Sequence, residues 1–491
     1  MMERKLRGAG CRVQVAGCRV QGAGCRLWGA GCRVWVARSQ KIWLFLILLV
    51  ISPVGMKAQK AISLEEMLAW AEANHPMGEL ADAVAERGEA ALLQARGAFD
   101  PKLSGTYDLK EFKSTEYFNY GEAGVEWQSP YAVKIAGGYQ FARGTYLNDE
   151  RTVPANGQAY LAVKLPLLQG LITDAARIGR ERGMLAMDRQ QAMADVIRNE
   201  LRYDLATRYA AWLYAERAVA INQETEELIN VYLENTRGLF QQGDKAAVDT
   251  LEASVYLNTQ RQATRQAQVD ADLARRSLSE LYWPLEFTDI PNGLRPEWLM
   301  VIPTGNWAAT HPELQEARLT VNDYQLQERL KREMLKPTLD VSYYLLGDGF
   351  DLPAGDDQNG GLLDRAFKVG AKASYPIFNR KARGGVQEAE LKIREGAAKL
   401  SAKTQSLEQK SAAYQDAIAA YNQQLSAAGQ LADQSRRLLE AEQELFSLGE
   451  STQFLLNARQ QNFQKALLNL EKLRFSRNKA VVTLRYLIAE W

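Results

Sequence analysis

GLFQQGDKAAVDTLEA, running from Gly238 to Ala253, lies inside a proline-free stretch between Pro166 and Pro284, and its single central glycine decides the fold. The flanking sequence is rich in Ala, Leu, Gln, Glu, Arg and Lys, all strong helix formers. Apolar residues recur at three- and four-residue steps, as in Ala206, Tyr209, Ala210, Leu213 and Ala220, the pattern of an amphipathic helix suited to coiled-coil packing. Small residues (Ala210, Ala211, Ala215, Ala218 and Ala220) suit close helix approach. Glycine permits the left-handed conformation that ends a helix. Gln242-Gly243-Asp244 is therefore read as a reversal, with the chain returning over Val248 to Tyr282. The outgoing segment, Thr173 to Gln241, would be about 100 Å long at 1.5 Å per residue. An ordinary globular helix has about 11 residues, so this one is built to reach across a space.

The same pattern occurs a second time. ELFSLGESTQFLLNA (Glu444 to Ala458) matches the first stretch with one residue fewer and places Gly449 where Gly243 stood. No proline follows Pro376, and Leu438, Leu439, Ala441, Leu445 and Phe446 repeat the helical spacing. The return helix is expected over Phe454 to Ile488. Upstream, Asn74–Leu103 matches Thr310–Leu339: His75-Pro76 answers His311-Pro312, and Pro101-Lys102-Leu103 answers Pro337-Thr338-Leu339, both 236 residues apart. LPLLQG (Leu165 to Gly170) resembles YPIFNR (Tyr375 to Arg380). Residues 59–297 and 298–491 thus read as two structural repeats, each a short helix, strands, and a long helical hairpin with its tip near 243 or 449. The two histidines precede prolines suited to the first position of a helix and read as N-cap residues on loops, with no metal or acid–base role.

Between the helices the pattern changes to period two. Leu103, Tyr107 and Leu109 alternate with Lys102, Ser104, Thr106, Asp108 and Lys110. Tyr131, Val133, Ile135, Tyr139 and Phe141 oppose Lys134 and Gln140; Leu339, Val341, Tyr343 and Leu345 oppose Asp340 and Ser342. Phe367, Val369, Ala371, Ala373 and Tyr375 oppose Lys368, Lys372 and Ser374. Such alternation, in runs of about the 9–11 residues that cross a bilayer, is the apolar-out, polar-in signature of a membrane barrel. Lys134, Lys164, Lys368 and Lys372 are the candidate lumen residues. One chain has too few strands to close a water-filled barrel, so several copies must share one. The first half carries a surplus around Tyr117–Gln128 and Tyr131–Arg143, enough for an extra hairpin inside or outside the barrel.

Sixty basic and 59 acidic residues in 491 leave no basic footprint for nucleic acid. The four cysteines, Cys11, Cys18, Cys25 and Cys32, repeat every seven residues without the paired spacing of a zinc site, and residues 8–35 read as low-complexity sequence upstream of the true start. Arg38 and Lys41, the apolar Trp43–Ile51, the breakers Pro53 and Gly55, and Ala58 read as a signal peptide, so residues 1–58 are expected to be removed or untranslated. Nothing downstream is apolar for long enough to make a membrane helix; a spanning segment would have to be a closed barrel. A mature chain without cysteine, nucleophile motif or phosphate loop points away from an enzyme and from any cofactor or metal. Carboxylates such as Glu224, Glu226 and Glu227 read as a solvated helix face. The remaining alternative is a structural coiled coil of the periplasm or cell surface without a pore.

Duplicated helix–strand–strand–helix halves, proline-ended strands running into helices, and a glycine tip in each half resemble the TolC family of outer-membrane efflux proteins. The resemblance covers the chain from about Ile62 to its end. It implies mainly α architecture with a membrane β-barrel: antiparallel helical hairpins form an α-barrel, and the strands join a β-barrel shared by a homotrimer. It implies a passive conduit in a tripartite efflux or type I secretion system of a Gram-negative bacterium. The duct would sit in outer-membrane lipid and extend into the periplasm to meet a periplasmic adaptor and an inner-membrane pump. Gly243, Asp244, Gly449 and Glu450 would then face the adaptor, and Asp249, Glu252, Phe454 and Asn457 would stand at the periplasmic aperture. Relatives carry aspartates where this sequence has Phe454 and Asn457, so cation selectivity is not carried over; Phe454 either gates by dewetting or packs between helices.

Overall fold

A computed structural model describes residues 63–148, 152–281, 307–352 and 366–491. The chain divides into two units, Met1–Ala58 and Gln59–Trp491. The cysteine heptads and the apolar leader lie outside the described residues, and the architecture below is that of the second unit.

Ser63 starts helix α1 (Leu64–Asn74) with a capping box, its hydroxyl and the Glu66 carboxylate each accepting the other's backbone N–H. Helix α2 (Pro76–Arg96) follows directly and ends in a 3-10 turn, Gly97–Phe99. Four strands come next: β1 (Lys102–Phe112), β2 (Thr115–Gln128), β3 (Lys134–Arg143) and β4 (Gln158–Pro166). Asp174 caps α3 (Ala175–Gln242), accepting the Arg177 N–H at 2.8 Å. Helix α4 (Ala247–Ser279) brings the chain back. The second half repeats the plan with α5 (Pro312–Glu333), β5 (Thr338–Leu346), β6 (Phe367–Ser374), α6 (Arg380–Ser447) and α7 (Gln453–Ile488). Helices α3 and α6 have 68 residues each, about 100 Å at 1.5 Å per residue.

Helix α3 is the spine, packing against α2, α4, α5 and α7, while α6 packs against α5 and α7. The largest core lies where the first and last helices meet that spine. Met67 of α1, Leu205, Tyr209 and Trp212 of α3, Leu278 of α4 and Val482 of α7 close on one another. Each such side chain contributes about 1.5–3 kcal/mol on burial. Glycine allows the tightest approach: a Cβ at Gly183 would come within 2.7 Å of the Ala95 Cβ, and one at Gly88 within 2.8 Å of the Met187 Cα. Further out along α3, a buried amide cluster ties the halves together. Gln260 Nε2 donates to Asn222 Oδ1 at 3.1 Å, and Gln464 Nε2 donates to Asn222 Oδ1 at 3.0 Å and to Gln260 Oε1 at 3.2 Å.

The strands make one antiparallel sheet in chain order, β1-β2-β3-β4-β5-β6. The surplus hairpin of the first half is therefore inside the sheet, as β2 and β3. Strands β1 and β2 join through a two-residue turn, Lys113-Ser114, with both φ positive (52° and 59°), the geometry whose twist matches paired strands. Strand-to-helix reversals use a left-handed residue in each half, Gly170 at φ 93° and Asn379 at φ 41°.

Candidate functional site: the hairpin tips and the polar strand face

Both hairpins turn through the same backbone motif. At the first, the Gly243 N–H donates to the Phe240 carbonyl (3.0 Å) and the Asp244 N–H to the Leu239 carbonyl (3.0 Å). At the second, Gly449 donates to Phe446 (3.1 Å) and Glu450 to Leu445 (2.9 Å). This double bond pattern is the Schellman cap, and it needs a left-handed residue; φ is 85° at Gly243 and 78° at Gly449. The glycines are hairpin tips, not tolerated interruptions of one helix. A Cβ at either would touch nothing within 4 Å, so the requirement is conformational, not steric. Asp244 and Glu450, one residue on, are exposed.

The return helices start differently. In α4 the Asp249 carboxylate reaches back to accept the Ala246 N–H at 3.2 Å. In α7 the Thr452 hydroxyl accepts the Leu455 N–H at 3.3 Å. Of the four aperture candidates, Glu252, Phe454 and Asn457 line one groove of about 510 Å³ between α4 and α7; Asp249 stands outside it as a cap. Phe454 is 72% exposed, so it does not pack between helices of its own chain. Asn457, three residues on, is buried at 7% and lies against the Tyr232 side chain. Burial pushes the neighbouring Tyr256 hydroxyl up to about 12, so it stays neutral in that groove at physiological pH.

The histidines also part company. The His75 Nδ1 accepts the Met77 N–H at 3.1 Å, the capping role expected of it. His311 occupies the same N-cap position without a side-chain bond; its ring is 1% exposed and stands edge-on to Trp307, centroids 5.7 Å apart. Burial depresses the imidazole pKa at both sites. Among the described residues no group of three or more His, Cys, Asp or Glu could hold a metal ion.

The sheet's register places every candidate lumen lysine on one face. Lys134 lies directly opposite Lys164, Asp340 opposite Lys372, and Tyr344 opposite Lys368. Lys164 also reaches across to Glu126, Nζ to Oε2 at 2.9 Å. Residues that the sequence reading missed share this face. Glu122 accepts from the Tyr120 hydroxyl and from the Tyr160 hydroxyl (2.8 Å), and it sits opposite Thr106 and Gln140. Tyr160 passes over a glycine pair, Gly124 opposite Gly138, where added Cβ atoms would come within 2.9 and 2.8 Å of its hydroxyl. The signal was present as alternation along β2 (Tyr120, Glu122, Glu126, Gln128), but glycines at 121 and 124 interrupt it. The opposite face carries Leu103, Tyr107, Val125, Leu161 and Val369, exposed by between 41% and 81% with their neighbour Val163. No described helix is long and apolar enough to cross a membrane.

A sheet with one exposed apolar face and one polar face, carried on long paired helical hairpins, defines the fold of bacterial outer-membrane channels. The chain superposes over 87% of its length on the CmeC outer-membrane channel of Campylobacter jejuni (85% of that chain, 13% identity, TM-score 0.62). Over 87% it also matches VceC of Vibrio cholerae (96% of that chain, 13% identity, TM-score 0.61) and the open MtrE channel of Neisseria gonorrhoeae (89%, 14% identity, TM-score 0.64). In sequence, residues 305–490 match the family described as outer membrane efflux protein. The nickel-cobalt-cadmium resistance protein NccC of Alcaligenes xylosoxydans xylosoxydans is 26% identical over 238 residues, 47% of this chain; the chain spans about half the length (51%) of that relative. The resemblance to outer-membrane efflux proteins stands in these comparisons. The matched family is described as outer membrane efflux protein, and the fold is that of structures described as outer-membrane channels.

Proposed function

We propose that this chain is one protomer of a threefold outer-membrane duct, a passive conduit that exports small molecules or proteins in partnership with a periplasmic adaptor and an inner-membrane pump. The supporting observation is the six-stranded sheet. Its apolar face is exposed along most of its width, and its polar face gathers Lys134, Lys164, Lys368 and Lys372. Water offers no reason to expose such a face, whereas lipid does. The pore-free coiled coil has no use for it. The strands would lie in the outer membrane with those lysines toward the lumen. The helices would run through the periplasm to tips at Gly243, Asp244, Gly449 and Glu450, where the adaptor docks, with Asp249, Glu252, Phe454 and Asn457 around the aperture. Residues 59–297 and 298–491 would act as two pseudo-equivalent repeats, six around a threefold axis.

Electron microscopy of the detergent-purified protein tests this. The expected particle is a threefold cylinder at least about 100 Å long, the reach of 68 helical residues, with a detergent belt at one end. A filament or compact particle that stays soluble without detergent overturns it.

A further inference from the structure

The two edges of the sheet are open. β1 is exposed at all 11 of its residues, and β6 is exposed at all but one. Neither edge carries a proline, and the one irregularity in β1 comes at its far end, between Lys110 and Glu111. A long, regular edge with Leu103, Tyr107 and Leu109 on its apolar side is a template for another strand. In a bilayer it has to be paired, because lipid satisfies no backbone N–H or C=O.

The partner follows from direction and number. The sheet has six strands, all antiparallel, so β1 and β6 run in opposite directions. Repeating the sheet head to tail brings β6 of one copy beside β1 of the next with the antiparallel sense kept; an odd number of strands would break that sense at each seam. A head-to-tail contact of this kind closes into a ring when the rotation from copy to copy completes a full turn, and otherwise runs on as a filament. One chain alone could not enclose water, since even eight strands fill their interior with side chains.

With β1 of each protomer against β6 of its neighbour, as a barrel shared between copies requires, we infer that the surplus hairpin β2–β3 is part of the wall, so that three copies close a barrel of eighteen strands. The count of copies rests on the threefold reading above; the seam and the place of β2–β3 rest on the sheet itself. Had β2 and β3 capped the barrel from outside, β1 would lie against β4, and three copies would close on twelve strands. At ~4.8 Å between strands and a tilt of ~40°, eighteen strands measure about 36 Å across between backbones, and twelve about 24 Å. The wider wall holds open water. Bulky hydrated cargo passes it, and selection by size falls to the helical end of the duct.

Cysteine cross-linking in the full chain tests the seam, with Cys11, Cys18, Cys25 and Cys32 replaced by serine. All test positions lie on the polar face. Lys102→Cys, Ser104→Cys or Thr106→Cys in β1 is combined in turn with Lys368→Cys, Lys372→Cys or Ser374→Cys in β6. Oxidation of the membrane-inserted protein is expected to give a ladder that ends at three chains for at least one combination. The control pair is Ser104→Cys with Ala162→Cys of β4. Three strand spacings, about 14 Å, separate β1 from β4 in this sheet, too far for a disulfide. An intrachain disulfide in that control, or no interchain product from any β1–β6 pair in folded protein, overturns the proposal. Native mass measurement on the same preparation separates the two failures. Three copies in the membrane with no β1–β6 product sink the seam alone, and a ladder and mass that stop at two chains sink the threefold count as well.

Discussion

At the tip of the first hairpin, Ile229, Leu233, Ala253 and Leu257 close on one another with no charge among them. Seven residues before the tip of the second stands Glu442, almost fully buried, which accepts from the Ser451 hydroxyl and faces Arg459 Nε at 3.5 Å. The residue in the place of Glu442 in the first hairpin is Thr236, which merely turns its hydroxyl to the Tyr232 carbonyl of its own helix at 3.0 Å. Identical backbone caps thus terminate two hairpins that are held by different forces. A hydrophobic contact survives changes of salt and pH; a buried carboxylate depends on its partners. The first hairpin is suited to stay fixed, the second to respond to what binds at its end.

The comparison can be broken most directly at the caps. Proline cannot adopt φ near +80°, so Gly243→Pro or Gly449→Pro should undo the reversal at a cost of more than about 3 kcal/mol. Adaptor cross-linking should fall while membrane insertion persists; unchanged efflux and cross-linking in both variants would remove the tips from the docking surface. Leu233→Ala should cost about 2–5 kcal/mol as a core truncation. It should loosen the first hairpin in hydrogen exchange without altering the second; equal loosening of both would mean that the hairpins are one cooperative unit. Glu442→Ala strands Arg459, which is partly exposed, so about 2 kcal/mol is expected rather than the full cost of a broken buried pair. That loss should appear in the second hairpin only, and high salt should mimic part of it in the parent chain. Asp249→Ala removes a carboxylate cap and should cost about 1 kcal/mol, seen as fraying at the start of α4.

The smallest effect is expected at the histidines. A folded-state imidazole pKa held below the unfolded value of 6.5 means that the folded state binds fewer protons in the window below 6.5. The stability associated with His311 is therefore complete above about pH 6.5 and declines as pH falls through its lowered folded value. Melting temperatures measured from pH 7.5 to 5 should fall less steeply in His311→Asn than in the parent. A parallel pair of curves would show that protonation of His311 is not what weakens the fold.

The parts of this architecture legible in sequence are those governed by local rules. Gly243 and Gly449 announce the tips because only glycine takes the required φ without cost, and the return helices begin within one residue of where they were expected, at Ala247 and Gln453. The period-two runs fixed which face of β1, β5 and β6 is polar. Features decided by distant neighbours were not legible. Nothing local says that Asn457 is buried against Tyr232 while Phe454 is open, because both stand on the same amphipathic helix. His75 and His311 have the same His-Pro context, and only Trp307 and the packing around it distinguish the second. The membership of β2 and β3 in the sheet depends on register with β1 and β4, which the alternation permits but does not impose. The Glu122–Tyr160 contact was hidden by the Gly124–Gly138 pair that makes room for it.

The equal lengths of α3 and α6 carry a consequence for how such a chain can vary over time. Both helices follow a strand and end within two residues of a Schellman glycine, so their common count of 68 residues gives the two hairpins nearly the same reach. One residue inserted in α3 alone would lift its tip by about 1.5 Å and swing it by about 100°. Insertions and deletions are therefore tolerable only as matched pairs in the two halves, and in steps of about seven or eleven residues that restore the packing face. A duplicated gene has in this way become bound to itself: neither copy can change its length without the other.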